Sequence, residues 1–307
     1  RRVLFRSTIQ RECLRGEEKG YERLSPHFIP MSISNMAAGQ IAIRYGLHGM
    51  CSCVVTACAG GTNAIGDAFR QIKDGYHDLM LCGGAEATVT QLGIGGFASM
   101  KALSAASDPK RASIPFDKER NGFVMGEGAG VLILEEYGHA KRRGAKIYCE
   151  LTGYGANCDA HHVTAPVEDG SVAAKCMRLA MKEAGVSPEE ITYINAHGTS
   201  TQLNDRSETA AVRLAFGEAA KRVMLSSTKS MTGHLLGASG AVEAILTALA
   251  VQNDFVPATI GYREPDPACD LDIVPNRGRN VGLTYAMSNS LGFGGHNASL
   301  VFKKAEP

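Results

Sequence analysis

The sequence contains two similar arrangements of glycine-rich turns, and this repeat limits the possible folds more than any other feature. Gly126-Glu-Gly-Ala-Gly-Val-Leu-Ile-Leu134 and Gly294-Gly-His-Asn-Ala-Ser-Leu-Val-Phe302 are both glycine-rich turns followed by an apolar strand, 168 residues apart. Cys58 and His234 each precede a run of small residues that begins a predicted helix, and they lie 176 residues apart. The matching offsets predict two copies of one α/β unit, although chance recurrence of glycine-rich turns is an open alternative.

Predicted helices and strands alternate along the chain. Helices are predicted over 60–75, 97–103, 171–184, 204–216 and 237–251, and strands over 54–55, 78–82, 130–134, 147–154, 193–195 and 223–226. This alternation favours an α/β fold with buried, largely parallel strands. We place the first half at residues 1–143 and the second at 144–307. The second copy starts near Lys146, so an equivalent start of the first copy would precede residue 1 and the first half is expected to be incomplete.

Composition and charge exclude several classes of protein. Hydrophobic residues make up 44% and charged residues 21% of the 307 positions, as in soluble globular proteins, and the formal net charge is only +1. This balance predicts no nucleic-acid partner, and the absence of an 18-residue apolar run predicts no membrane span. The nine cysteines lack the spacing of a disulfide framework or a zinc site. We therefore expect reduced thiols, no metal and a cytoplasmic location.

Cys58 is the first candidate for chemistry. It follows a predicted strand at Val54-Val55 and precedes a helix, with small neighbours at Ala57, Ala59, Gly60 and Gly61. A thiol at a helix N-terminus lies near the positive end of the helix dipole, which can lower its pKa from ~8.5 to ~3.5–7.5. A nucleophile is one interpretation of this position, and a small buried residue at a tight crossing is the other.

Two histidines occur in similar settings. His197 lies in Asn195-Ala-His-Gly-Thr-Ser-Thr201 after a predicted strand, and His234 lies in Lys229-Ser-Met-Thr-Gly-His-Leu-Leu-Gly237. Sites gather at the carboxyl ends of strands in parallel α/β sheets, so both are candidate site residues. His161 and His162 are expected on a solvated loop, and His296 is either close to a site or part of a turn.

The motifs around Cys58, His197, His234 and Asn289-Ser-Leu-Gly-Phe-Gly-Gly-His-Asn297 together resemble those of the β-ketoacyl-[acyl-carrier-protein] synthases. The similarity is greatest to the type II elongating enzymes of bacterial fatty acid synthesis and extends from about Ser25 to Lys304. It implies a thiolase-like, five-layered α/β fold built from two similar halves. It also implies a homodimer and a decarboxylating Claisen condensation, in which a cysteine-bound acyl chain is extended by malonyl-carrier protein.

The resemblance also implies roles for individual residues. Cys58 is the nucleophile, His197 and His234 bind the malonyl thioester oxygen, and Phe293 gates the malonyl side while its backbone N–H helps to form an oxyanion hole. Lys229 and Glu243 are implied to be a charged pair near His234, and the hydroxyls of Thr199 and Thr201 to contact pantetheine. Phe97 is implied to line the acyl pocket, and Asp205 and Glu208 to be structural carboxylates. No cofactor is implied, since phosphopantetheine arrives on the acidic acyl carrier protein, which Lys101 or Arg206 could contact.

Other activities remain possible from the sequence. Polyketide ketosynthases typically have serines after the nucleophile, whereas Ala59-Gly60-Gly61 follows Cys58 here. A non-catalytic partner subunit of a condensing enzyme would usually lack the cysteine. A Cys–His hydrolase would need one histidine with an Asp or Asn that orients it, so two histidines in separate glycine-rich motifs fit decarboxylation better.

Overall fold

The computed structural model describes residues 5–306 of the chain. The helices are α1 Phe5–Lys19, α2 Phe28–Ser32, α3 Met36–Tyr45, α4 Gly60–Lys73, α5 Gln91–Ser99, α6 Tyr137–Arg142, α7 Ser171–Ala184, α8 Gln202–Phe216, α9 Lys229–Thr232 and α10 Ser239–Asn253. The strands are β1 Leu79–Glu86, β2 Gly128–Glu135, β3 Glu150–Cys158, β4 Ile191–Asn195, β5 Met224–Ser226, β6 Phe255–Val256, β7 Arg279–Asn280, β8 Tyr285–Gly292 and β9 His296–Lys303. Within this range, none of the helices combines the length and the apolar character needed to cross a bilayer.

The second half is built on a five-stranded mixed sheet with the order β3-β9-β8-β4-β5. The pairings β4–β5 and β4–β8 are parallel, whereas β8–β9 and β3–β9 are antiparallel. The prediction of largely parallel strands is therefore wrong. Antiparallel pairing arises because β8 and β9 are joined by a short turn at 293–295, which reverses the chain without a crossover helix.

Four layers can be traced through the described residues. Helices α7 and α8 cover one face of the five-stranded sheet, and α4 and α10 lie between that sheet and the antiparallel pair β1–β2. Helix α10 contributes Ala241, Ala244 and Ala248 to the buried cluster between the sheets. Such small side chains allow the helix backbone to approach both sheets closely. This layered arrangement of helices and sheets confirms the predicted α/β class.

The two halves repeat a tight turn that leads into a central helix. The 3₁₀ turn at 57–59 leads into α4, and the 3₁₀ turn at 236–238 leads into α10. Each turn starts with a non-glycine residue at positive φ, Ala57 at 49° and Leu236 at 48°. The structural counterpart of Cys58 is therefore Gly237, and the sequence match of Cys58 with His234 was misaligned by three residues. The boundary at residue 143 stays a prediction.

Two predicted elements differ from the structure. Val54-Val55 lies in an extended segment that is not part of a strand, and the helix predicted over 97–103 instead covers Gln91–Ser99. Helix α5 begins where the Thr90 hydroxyl accepts the Gly93 N–H, a capping signal seven residues before the predicted start. The helices predicted over 60–75, 171–184, 204–216 and 237–251 are confirmed.

The start of α4 crosses the start of α10 at glycines. A Cβ atom added to Gly61 would lie 2.6 Å from the Ala241 backbone nitrogen. We expect Gly61→Ala to lower the free energy of unfolding by about 1–3 kcal/mol, because the backbones would have to separate. Gly95→Ala in α5 is the matched control, since its added Cβ would meet nothing within 4 Å and should stabilise the helix by up to about 1 kcal/mol. Urea unfolding measures both, and equal stability of Gly61→Ala and wild type would contradict this close crossing.

Candidate active site

The three candidate reactive side chains share one cavity of about 330 Å³. Cys58 comes from the turn before α4, His197 follows β4, and His234 lies between α9 and α10. Both histidines are 3% exposed and the cysteine is 8% exposed. Since the thiol comes from the first half and both imidazoles from the second, the site forms where the two halves meet.

Cys58 is held against the end of β8. The Phe293 backbone N–H donates to the Cys58 sulfur. A Cβ atom on Gly292 would lie 2.8 Å from the Thr56 carbonyl oxygen and 3.2 Å from the Cys58 nitrogen, so this approach requires glycine. The backbone N–H groups of Cys58 and Phe293 therefore both lie close to the thiol.

The pKa of Cys58 differs from the sequence-based expectation. Burial raises it to about 11, although the Lys229 charge and the Phe293 N–H act in the opposite direction. The prediction of a lowered thiol pKa is thus wrong, because loss of solvation outweighs the favourable contacts. At neutral pH the side chain is the thiol, and its proton must leave as an acyl donor is attacked.

His234 presents a hydrogen-bond donor to the cavity. Its Nδ1 accepts the Leu236 backbone N–H at 3.3 Å and lies 2.9 Å from the Ser239 hydroxyl, which itself accepts the Leu235 N–H. Because Nδ1 is an acceptor, the proton of the neutral ring is on Nε2. Burial and the Lys229 charge lower the His234 pKa well below its usual value, so the neutral form persists.

His197 has the same arrangement with different partners. The Lys229 ammonium lies 3.3 Å from His197 Nδ1, donates to the His197 carbonyl oxygen at 2.6 Å and pairs with Glu243 at 2.5 Å. An ammonium can only donate, so Nδ1 accepts and Nε2 carries the proton. Burial, then Lys229 and His234, lower the His197 pKa well below its usual value. The two rings are nearly perpendicular, with centroids 5.2 Å apart.

Buried carboxylates support the loop that carries His197. Glu208 accepts the backbone N–H groups of His197 and Gly198, both at 2.8 Å, and burial raises its pKa to about 7. Asp205 accepts the Phe116 N–H at 2.8 Å and lies 3.6 Å from the Arg120 guanidinium. Asp205 is fully buried and does not line the cavity, which agrees with a structural role.

The apolar wall of the cavity is aromatic. The Phe97 ring lies 5.2 Å from that of Phe123 and 6.4 Å from that of Phe293, and Phe123 packs edge-on against His234 at 5.2 Å. Sequence reasoning missed Phe123, because it falls in a segment with no helical or strand periodicity. The available signal in the sequence was a glycine, Gly122, directly before an aromatic residue.

Polar side chains line the same cavity. The Thr199 and Thr201 hydroxyls lie 2.9 Å apart, and both residues border the cavity together with Lys101. Arg206 does not line it and instead lies 3.8 Å from Glu168 beside an adjoining pocket that includes His161. His296 lies outside the lining, opposite Cys158 in the β3–β9 ladder.

Two similar α/β units, with a thiol and two imidazole N–H donors in one partly apolar cavity at their junction, are the arrangement of the thiolase-like acyltransferases. The chain matches the β-ketoacyl synthase N-terminal domain over residues 6–140 and the C-terminal domain over residues 148–263. It belongs to the β-ketoacyl synthase family.

Similar proteins of known sequence are 3-oxoacyl-[acyl-carrier-protein] synthases 2. That of a Synechocystis species is 56% identical over 94% of this chain and 69% of its own length. That of Staphylococcus aureus strain COL is 53% identical over 94% and 70%.

Two solved structures have the same fold. One is a type II polyketide acyl-carrier protein in complex with its ketosynthase bound to the hexaketide, at TM-score 0.94 and 38% identity, covering 99% of this chain and 76% of that chain. The other is a β-ketoacyl synthase from Burkholderia phymatum, at TM-score 0.91 and 38% identity, covering 97% and 72%.

Proposed function

We propose that this protein is an elongating 3-oxoacyl-[acyl-carrier-protein] synthase that uses Cys58 as its nucleophile. The observation that carries the proposal is the pair of Nε2–H imidazoles, His197 and His234, in the cavity of Cys58. Two neutral donors suit an oxygen that becomes negative during decarboxylation. A hydrolase would need an imidazole that accepts the thiol proton and access for water.

The first half-reaction transfers an acyl chain. The Cys58 sulfur attacks the thioester carbonyl of an acyl carrier protein, the thiol proton passes to the departing pantetheine sulfur, and acyl-Cys58 forms. The negative oxygen of the tetrahedral intermediate is stabilised by the backbone N–H groups of Cys58 and Phe293. The acyl chain extends along Phe97 and Phe123.

The second half-reaction forms the carbon–carbon bond. Malonyl-carrier protein binds with its thioester oxygen between His197 and His234, and loss of carbon dioxide leaves an enolate that their N–H groups stabilise. The enolate carbon attacks the acyl-Cys58 carbonyl, which releases 3-oxoacyl-carrier protein and the Cys58 thiolate, which then takes up a proton. Lys229, held by Glu243, orients His197, and its ammonium, 3.3 Å from His197 Nδ1, favours both negative species.

The pantetheine arm is supplied by the substrate, so we propose no resident cofactor. We propose that Thr199 and Thr201 bind the arm and that Phe293 gates the malonyl side. Lys101 would contact the acidic carrier protein. Polar hydroxyls beside an aromatic wall suit a chain that is polar along its arm and apolar along its acyl group. By resemblance to the family, we also propose that the protein is cytoplasmic and forms a homodimer. Sedimentation of the purified protein would test whether it is a dimer.

The direct test combines the protein with a fatty acyl-carrier protein and malonyl-carrier protein. We expect one 3-oxoacyl-carrier protein product, two carbons longer than the acyl donor, and one carbon dioxide per turnover, both measurable by mass spectrometry. Release of free fatty acid would favour a hydrolase, and a series of multiply extended oxo products would favour a polyketide synthase.

A further inference from the structure

A partly buried chain of hydrogen bonds connects the turn that carries Cys58 to the second half of the molecule. The Thr56 hydroxyl donates to Asn63 Oδ1 at 2.7 Å, and Asn63 Nδ2 donates to the Tyr154 hydroxyl at 2.7 Å. The Tyr154 hydroxyl also interacts with the Asp67 carboxylate, and each group shifts the pKa of the other. We propose that Thr56 and Asn63 are positioning residues that hold the Cys58 backbone N–H in the geometry needed for acyl transfer.

The turn needs such a support because its backbone is strained. Ala57 has φ of 49°, a left-handed conformation that costs a non-glycine residue about 1–3 kcal/mol unless its surroundings impose it. Ala57 lies between Thr56 and Cys58, so its conformation sets the direction of the Cys58 N–H. The Thr56 carbonyl oxygen accepts the Ala59 N–H at 3.0 Å, which closes the turn. A hydrogen bond from the Thr56 side chain to α4 therefore fixes the turn on its entering side.

The far end of the chain is rigid. Tyr154 lies in β3 and is 2% exposed, and its ring packs so closely on α4 that a Cβ atom on Gly66 would lie 2.3 Å from it. The Arg70 guanidinium covers the ring at 4.8 Å from its centroid. Asn63 is 8% exposed, so water competes only weakly for the groups that form its two hydrogen bonds. The anchor of the nucleophile turn thus lies in the half that supplies both imidazoles.

The equivalent turn of the second half lacks this chain, although it has the same backbone conformation. Counting along both helices from the turns, Asn63 corresponds to Val242, which cannot form these hydrogen bonds. That turn is held instead by the Gly237 N–H, which donates to Glu86 at 3.1 Å, and by the Ser239 hydroxyl, which accepts the Leu235 N–H. The Thr56–Asn63–Tyr154 chain is therefore not a requirement of the turn itself. It occurs in the copy that carries the thiol.

This inference rests on the proposed function of Cys58. Two reactions of the thiol allow the positioning role and the proposed function to be tested separately. Transfer of an acyl group from carrier protein needs the oxyanion N–H of Cys58, whereas alkylation by iodoacetamide needs only the sulfur. In Thr56→Val, we expect the rate constant of Cys58 acylation at saturating acyl-carrier protein to fall about 10- to 100-fold. Alkylation of Cys58 should stay within about 2-fold of wild type.

Conservative variants complete the test. Thr56→Ser keeps the hydroxyl and should retain acylation within about 3-fold, while Asn63→Leu should resemble Thr56→Val. Thr152→Val is the matched control, because this β3 threonine donates only to the Val301 carbonyl oxygen and lies outside the chain. It should react like wild type in both assays.

Three results would overturn the proposal. Equal acylation rates of wild type and Thr56→Val would exclude a positioning role. A parallel loss of acylation and alkylation would show that the chain only supports folding around the thiol. Failure of Thr56→Ser to restore the rate would exclude the hydroxyl as the important group. Absence of acylation in the wild-type protein would instead refute the proposed function.

Discussion

Replacing Cys58 by alanine is expected to remove condensation almost completely, with a fall in rate of about 10⁴- to 10⁶-fold. Loss of a covalent nucleophile has effects of this size because the remaining groups cannot divide the reaction into two easier steps. Decarboxylation of malonyl-carrier protein should remain measurable, since the two imidazoles are still present. The rate of 3-oxoacyl-carrier protein formation, and the mass of the acylated peptide, provide the measurement.

The structure distinguishes Cys58 from the other buried or half-buried thiols. Burial raises the pKa of Cys82, Cys149 and Cys176 to about 12 and that of Cys58 and Cys269 to about 11, so the pKa alone does not separate Cys58 from Cys269. Of these five thiols, Cys58 is the one that lines the cavity together with His197 and His234. Cys82→Ala is the matched control and should keep at least half of wild-type activity. An acyl adduct on any cysteine other than Cys58, or normal turnover by Cys58→Ala, would refute the nucleophile assignment.

Replacing His197 or His234 by alanine should slow condensation by about 10²- to 10³-fold while leaving acylation of Cys58 within about 10-fold. In the proposed mechanism, each imidazole contributes one N–H to the enolate oxygen, and loss of one such donor has this cost. Acyl transfer relies instead on the backbone N–H groups of Cys58 and Phe293. Single-turnover acylation and steady-state condensation, measured on the same preparation, separate the two half-reactions.

His48→Ala is the control for this comparison, because His48 is exposed and lies outside the cavity. It should leave both half-reactions unchanged. If His197→Ala and His234→Ala lost acylation as strongly as condensation, the imidazoles would act on the thiol, and the enolate role would be wrong. Because the two rings share one oxygen, the double variant should lose less than the product of the two single effects.

Local signals were sufficient for most of the elements that carry the site. Helix α7 was predicted to end at Ala184, and it does so because Gly185 adopts the left-handed conformation that closes a helix. By contrast, Ser187 and Glu190 form a capping box that leads only into the 3₁₀ turn Pro188–Glu190, since Ile191 already belongs to β4. Capping residues specify where a helix can begin, and tertiary packing decides whether it continues.

The direction of the strands and the solvation of the Cys58 thiol could not be predicted from local signals in the sequence. The β8–β9 pair was predicted only as a glycine-rich turn and an apolar run, and its antiparallel pairing depends on contacts with β3 and β4 that are distant in sequence. The pKa of Cys58 depends on how completely the second half covers the thiol, and this outweighed the local effect of a helix start. Phe123 entered the site for the same reason, through packing against His234.

By itself, the sequence determined the two-fold repeat, the three candidate reactive side chains and the family, because these depend on residue type and on order along the chain. Only the tertiary structure decided that the imidazoles carry their protons on Nε2, that the thiol is protonated at rest, and that Gly237 is the counterpart of Cys58. These properties depend on partners such as Lys229, Ser239 and Phe293, which the folded chain brings to the site from separate segments.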